Sequence, residues 1–140
     1  MLSDRISNLV AVTAPNSGVS GRVFLFAPVS VQSNRSDNKT YKLQMEIRSP
    51  SESKLDGFGS SMGLFNKSLL IGAPGSGTVY VYTHDSLAGK YAIQQVIKPR
   101  GIAPDSNFGC SIYVHGDNGT SYCQKLRNDY QPLTKQSFTK

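Results

Sequence analysis

Tryptophan is absent, cysteine occurs twice, and only 17% of the 140 residues are charged, with 9 acids against 15 bases. Two cysteines are too few for a disulfide-stapled scaffold, and a chain of this length can bury a core without one. Bridged, Cys110 and Cys123 would close a loop of 123 − 110 = 13 residues and contribute about 3 kcal/mol; partly buried thiols are the other reading. No stretch supplies the roughly 20 apolar residues that span a bilayer, which excludes direct membrane insertion by a helix. Met1 to Val12 carries Asp4 and Arg5 ahead of a short apolar run, without a full signal-peptide core and small-residue cleavage site, so this end names no compartment. The formal net charge is +6, but its cations are scattered among the acids. Nucleic-acid binding needs cations clustered on one face, and is not expected.

What the chain does have is glycine, β-branched residues and tyrosine in short alternating runs. Val10-Ala11-Val12-Thr13-Ala14-Pro15 matches Leu69-Leu70-Ile71-Gly72-Ala73-Pro74. Each is followed by a glycine turn and an aromatic run, Arg22 to Phe26 in one case and Thr78 to Tyr82 in the other. Tyr41 to Ile47 then matches Tyr91 to Ile97, and Asp56-Gly57-Phe58-Gly59 matches Ser106-Asn107-Phe108-Gly109. The spacing is 73 − 14 = 59 residues at the Ala-Pro landmark and 108 − 58 = 50 at the Phe-Gly landmark. Period-two alternation between Gly, Ser, Asn and Pro turns predicts strands throughout. A repeat of about 40 to 50 residues holding about four strands is the pattern of a propeller blade. The expected fold is all-β, built of antiparallel four-stranded blades of a partial β-propeller.

Phe58-Gly59, Leu69 to Pro74 and Gly77 to Tyr82 together resemble the FG-GAP repeat that builds the N-terminal β-propeller of integrin α subunits and integrin-like secreted proteins. The resemblance implies an incomplete blade over 1–47, a complete repeat over 48–97, the start of another over 98–118, and a divergent, poorly ordered tail over 119–140. It makes Phe58, Gly59, Gly72, Ala73, Pro74, Phe108 and Gly109 fold signatures, with Phe58 and Pro74 packed where blades meet. It implies a non-enzymatic segment acting in extracellular recognition or cell adhesion, at the cell surface or outside the cell. Its partner would be a protein ligand or neighbouring blades. Two alternatives stand beside it: an accessory propeller segment of a secreted hydrolase resembling a phospholipase D, and a truncated product without function.

Two enzyme signatures overlap these glycines. Gly72 and Gly77 have the spacing of a phosphate loop, but Thr78 stands where that loop needs Lys. Gly59-Ser60-Ser61-Met62-Gly63 fits a nucleophile elbow, with Asp85 or Asp105 and His115 following in hydrolase order. Both demand a helix where the pattern predicts a strand. The reading preferred here gives Gly59 and Gly72 to close backbone approach, and Gly75 and Gly77 to a hairpin turn.

Some integrin-like blades hold Ca²⁺ in an acidic hairpin between their first two strands. Here that hairpin, 63–68, has no carboxylate and contains Lys67, while its later counterpart has Asp117 alone. Oxygen ligands for Ca²⁺ are missing, so no metal or other cofactor is expected. His84 and His115 read as exposed loop residues. Asn34, Asn38, Asn66 and Asn118 each open a glycosylation sequon. If strands run outward from one to four in each blade, all four sequons fall on one face. The other face is formed by 16–21, 48–57, 75–77 and 98–107, and carries Arg48, Lys54, Lys98 and Arg100 as candidate contacts for an acidic partner.

Overall fold

The computed structural model describes residues 2–3, 9–29, 40–51, 53, 55–65, 67–101, 107–114, 120–122 and 135–137. Among these the fold is all-β. The strands are β1 (Leu2–Ser3), β2 (Val10–Ala14), β3 (Arg22–Val29), β4 (Thr40–Arg48), β5 (Ser61–Phe65), β6 (Ser68–Ala73), β7 (Thr78–Asp85), β8 (Lys90–Ile97), β9 (Thr120–Tyr122) and β10 (Lys135–Ser137). β1 to β4 form one antiparallel meander, β5 to β8 a second, and β9 pairs with β10 separately.

The two meanders share register down to their irregularities. Ala14 pairs with Arg22, and its counterpart Ala73 with Thr78. Each third–fourth strand pair carries one shift, between Leu25 and Phe26 in the first sheet and between Val81 and Tyr82 in the second. Both shifts are 56 residues apart (81 − 25 and 82 − 26), and each leaves a glutamine, Gln44 or Gln94, without an opposite residue. A bulge bends and twists a strand locally, so both sheets curve at the same place.

Strand order sets burial. Every residue of β6 is buried, while β8 is exposed except at Tyr91 and Ile97. A strand flanked on both sides and covered on both faces reads as a continuous apolar run, and Leu69-Leu70-Ile71 is that run. Ala11, Val23, Leu25 and Ile47 of the first sheet meet Leu69, Ile71, Tyr80 and Tyr82 of the second in one core, with Phe58 between them. Phe58 is fully buried, its ring centroid 5.6 Å from that of Tyr80 and 6.4 Å from that of Tyr82. Burying one phenylalanine contributes about 1.5–3 kcal/mol. On the far face of the second sheet Leu70, Val79 and Ile97 pack with Phe108, and Ile112 leans on them.

The hairpin expected over 63–68 is tighter than that. Gly63, Leu64 and Phe65 belong to β5, and Phe65 pairs with Ser68, so only two residues make the turn. Lys67 takes the left-handed conformation at φ 64°. Between β6 and β7 the chain makes a 3-10 turn, Pro74–Ser76, and leaves through Gly77 at φ 59°. Gly75 serves close approach instead: a Cβ on it would lie 2.1 Å from the Leu55 carbonyl oxygen.

Candidate partner face

All the loops assigned to the partner face leave the same end of the sheets, because Ala14, Arg22 and Arg48 are in register there, as are Ala73 with Thr78 and Val79 with Ile97. Those of 16–21, 48–57 and 75–77 form a hydrogen-bonded layer. Leu55 N donates to Val19 O at 3.2 Å, Phe58 N to Ser20 O at 3.0 Å, and Gly75 N to Asp56 O at 2.8 Å. Ser20 Oγ adds a bond to Ser53 O at 2.8 Å. The 48–57 connector thereby ties the turn of the first sheet to the turn of the second.

Asp56 is the hub of that layer. Its side chain is 1% exposed, yet both carboxylate oxygens have donors: Phe58 N to Oδ1 at 2.9 Å and Ser49 Oγ to Oδ2 at 2.5 Å. A buried carboxylate is tolerated only with such partners. Tyr80 lies within its field. Burial, and then the Asp56 charge, push the Tyr80 phenol above its ordinary value, against a hydrogen bond with Ser76 that pulls it down. Tyr82 is pushed up further by burial, with Tyr80 adding to the effect. Sequence reasoning used Asp56 only as a landmark before Phe58. The available signal was Asp two residues before an apolar residue at a glycine-rich turn, the spacing at which a side chain bonds a nearby backbone N–H.

The cations are less alike than the sequence suggested. Arg48 is held, its Nε donating to Glu46 Oε1 at 3.0 Å, and the same oxygen takes Arg22 Nη1 at 2.9 Å. This pairing, Arg48 foremost, lowers the Glu46 carboxyl below its ordinary value. Lys98 and Arg100 are exposed just beyond β8. Lys54 lies outside the described residues, as do Asn34, Asn38, Asn66 and Asn118. The described residues that border three of those asparagines, Val29 with Thr40 and Phe65 with Lys67, lie at the sheet end opposite the partner face.

The FG turns repeat closely. Ser60 N donates to Gly57 O at 2.9 Å and Cys110 N to Asn107 O at 3.0 Å, while Gly59 and Gly109 both sit at φ 89°. Each lies over the third strand of the sheet before it: a Cβ on Gly59 would be 3.3 Å from Arg22 O, and one on Gly109 2.7 Å from Thr78 O. Gly72 has no room at all, since its Cβ would fall 2.0 Å from Gly109 O. Ser61 opens β5 and donates through Oγ to Gly109 O at 2.6 Å. A strand follows each enzyme-like signature, so neither a phosphate loop nor a nucleophile elbow is formed by these residues.

His84 is not a loop residue. It lies in β7, half-buried, with its ring 5.2 Å from that of Tyr91, because β7 runs on to Asp85 before an aspartate-stabilised turn. His115, Asp105, Asp117 and Cys123 lie outside the described residues, and Cys110 is half-buried. Toward the outer strands the sheets part, leaving a groove of about 580 Å³ between Ala27, Met45 and Glu46 on one side and His84, Lys90 and Tyr91 on the other. Among the described residues no three His, Cys, Asp or Glu side chains converge as a metal site would need, and no helix is long and apolar enough to cross a membrane.

No family model, curated protein or solved structure matches the chain.

Proposed function

We propose that the chain is a segment of an FG-GAP-type β-propeller, non-enzymatic, whose loop layer at the 48–57 end serves extracellular protein recognition or adhesion. One observation carries the reading: two consecutive four-stranded meanders share register, bulge position and FG-turn conformation, and the second stacks on the first through its FG phenylalanine. Stacking by repetition is how propeller blades make a rigid body, and exposed loops on such a body carry recognition. The layer tied by Asp56 supplies the rigid platform. Lys98 and Arg100 are exposed at the same sheet end, as is Arg48 beside Glu46, and they suit an acidic partner.

The test is attachment of cells to the immobilised chain, secreted with its sequons intact. Attachment that falls on Lys98→Glu with Arg100→Glu, and persists with Leu87→Asp at the opposite sheet end, supports the reading. Attachment equal on the native and the heat-unfolded chain, or glycans occupying the 48–57 layer, would overturn it.

A further inference from the structure

Position 55 holds a leucine where the backbone favours glycine. Leu55 is left-handed, at φ 66°, a conformation that crowds Cβ against the following carbonyl oxygen and that glycine or asparagine adopts far more readily. Two residues on, Gly57 meets the same demand at φ 67°. Burial does not offset the strain, because Leu55 is 87% exposed. Leu87 is as open to water but has a negative φ, and a lone exposed leucine of that kind is ordinary. The backbone at Leu55 is held on both sides: its N–H donates to Val19 O at 3.2 Å, and its carbonyl oxygen abuts Gly75, where a Cβ would fall 2.1 Å away. Leu55 therefore stands on the seam between the turn of the first sheet and the turn of the second. Val19 is 59% exposed, so the seam carries two apolar side chains. A further repeat stacks on a sheet face, before the first sheet or beyond Phe108, and leaves this seam open.

Strain kept at an exposed residue points to a contact that only a partner completes. We propose that Leu55, flanked by Val19, is the apolar anchor of the partner face, and that it inserts into an apolar pocket of a protein whose surrounding surface is acidic. The inference rests on the recognition reading above and adds to it the residue that carries the apolar contact. Charge complementarity selects the partner. Arg48, Lys98 and Arg100 are exposed at the same sheet end, while Glu46 there is paired with Arg22 and Arg48. Asp56 offers no free charge, since it is buried with both oxygens engaged. Cations at the rim steer the encounter, and a side chain on a backbone already fixed loses little further freedom when it is enclosed. A membrane surface fits less well, because two aliphatic side chains bury too little area to hold a chain there.

Cell attachment to the immobilised, secreted chain, measured beside thermal melting of the same proteins, decides it. Leu55→Gly removes the side chain and relieves the backbone, so attachment falls by about tenfold or more while the melting temperature holds or rises. Leu55→Asn, which also tolerates the left-handed backbone, repeats the result, and Leu87→Gly leaves attachment unchanged. The Leu55→Gly deficit persists at high salt, whereas that of Lys98→Glu with Arg100→Glu shrinks as the rim is screened. Treating the cells with trypsin beforehand removes attachment. Attachment that survives trypsin in full assigns the contact to lipid and overturns the proposal. So do Leu55→Gly and Leu55→Asn chains that melt lower in step with their lost attachment, since Leu55 then serves the fold. Full attachment by Leu55→Gly beside a loss in the Lys98→Glu, Arg100→Glu variant overturns the anchor and leaves the recognition reading standing, and attachment equal on the heat-unfolded chain removes both.

Discussion

The first and second sheets have the same strand order, the same bulge and the same turn at their ends, yet β6 is buried along its whole length and β2 is not. The difference lies in what covers them. The second sheet has the first on one face and the Phe108 turn on the other, whereas among the described residues the first joins a buried core on one face alone. Matching sequence positions therefore carry different energies. Valine and phenylalanine at four positions of the first sheet do the same local work as leucine, isoleucine and tyrosine in the second, with less of their surface removed from water.

Truncations across this comparison separate position from burial. Phe58→Ala removes the residue between the sheets and lowers stability by about 3–5 kcal/mol, whereas Phe24→Ala on the open face lowers it by about 1 kcal/mol. Urea melts of the two variants measure the contrast, and equal losses would mean that Phe24 is as enclosed as Phe58. Next in size is the exchange of repeat positions 13 and 72. Gly72→Thr places a Cβ where Gly109 O already sits and costs about 3 kcal/mol; Thr13→Gly costs about 1 kcal/mol from chain entropy.

Asp56→Ala breaks the layer that joins the turns. It takes one of two acceptors from the Phe58 N–H, which keeps Ser20 O, and strands the Ser49 hydroxyl, a loss of about 1–2 kcal/mol, and hydrogen exchange should quicken at Phe58 and Gly75 before it does in β6.

The smallest effects are those of pH. Tyr80 and Tyr82 bind protons more tightly in the folded chain than in the unfolded one, so stability is full below the ordinary tyrosine value of 10.0 and falls as pH rises past it. Glu46 is shifted the other way: its contribution is full above its ordinary value of 4.5 and fades as pH drops below. The Glu46 carboxylate lies near solvent, which screens its pairs, so the acid decline is shallower than the alkaline one. Thermal melts across pH test the asymmetry, and Arg48→Ala should flatten the acid side.

Much of the architecture was legible because it rests on local rules. The alternation of Thr78 to Tyr82, the apolar run Leu69-Leu70-Ile71 and the glycine-bearing turns each follow from strand pleat and turn chemistry. His84 was misread because β7 runs to Asp85, past the Thr83 at which the turn composition of 84–89 suggests it ends. Asp56 was passed over as a hub because its donors come from Ser49 and Phe58, and only burial makes a carboxylate's partners decisive. The candidate cations looked equivalent in the sequence, but strand alternation set Arg48 on the same face as Glu46 in β4 and register brought Arg22 to the pair, whereas Lys98 has Val96 in place of that carboxylate.

Sequence by itself determined that the chain makes short antiparallel strands in a repeating order, since period-two alternation and turn residues act over a few neighbours. Tertiary structure decided which of two similar faces is buried, why Gly72 admits no side chain, and which carboxylate ties the loops together. Those outcomes depend on atoms far apart in the chain, such as Gly72 and Gly109 O, and only stacking of one sheet on the next brings them within reach.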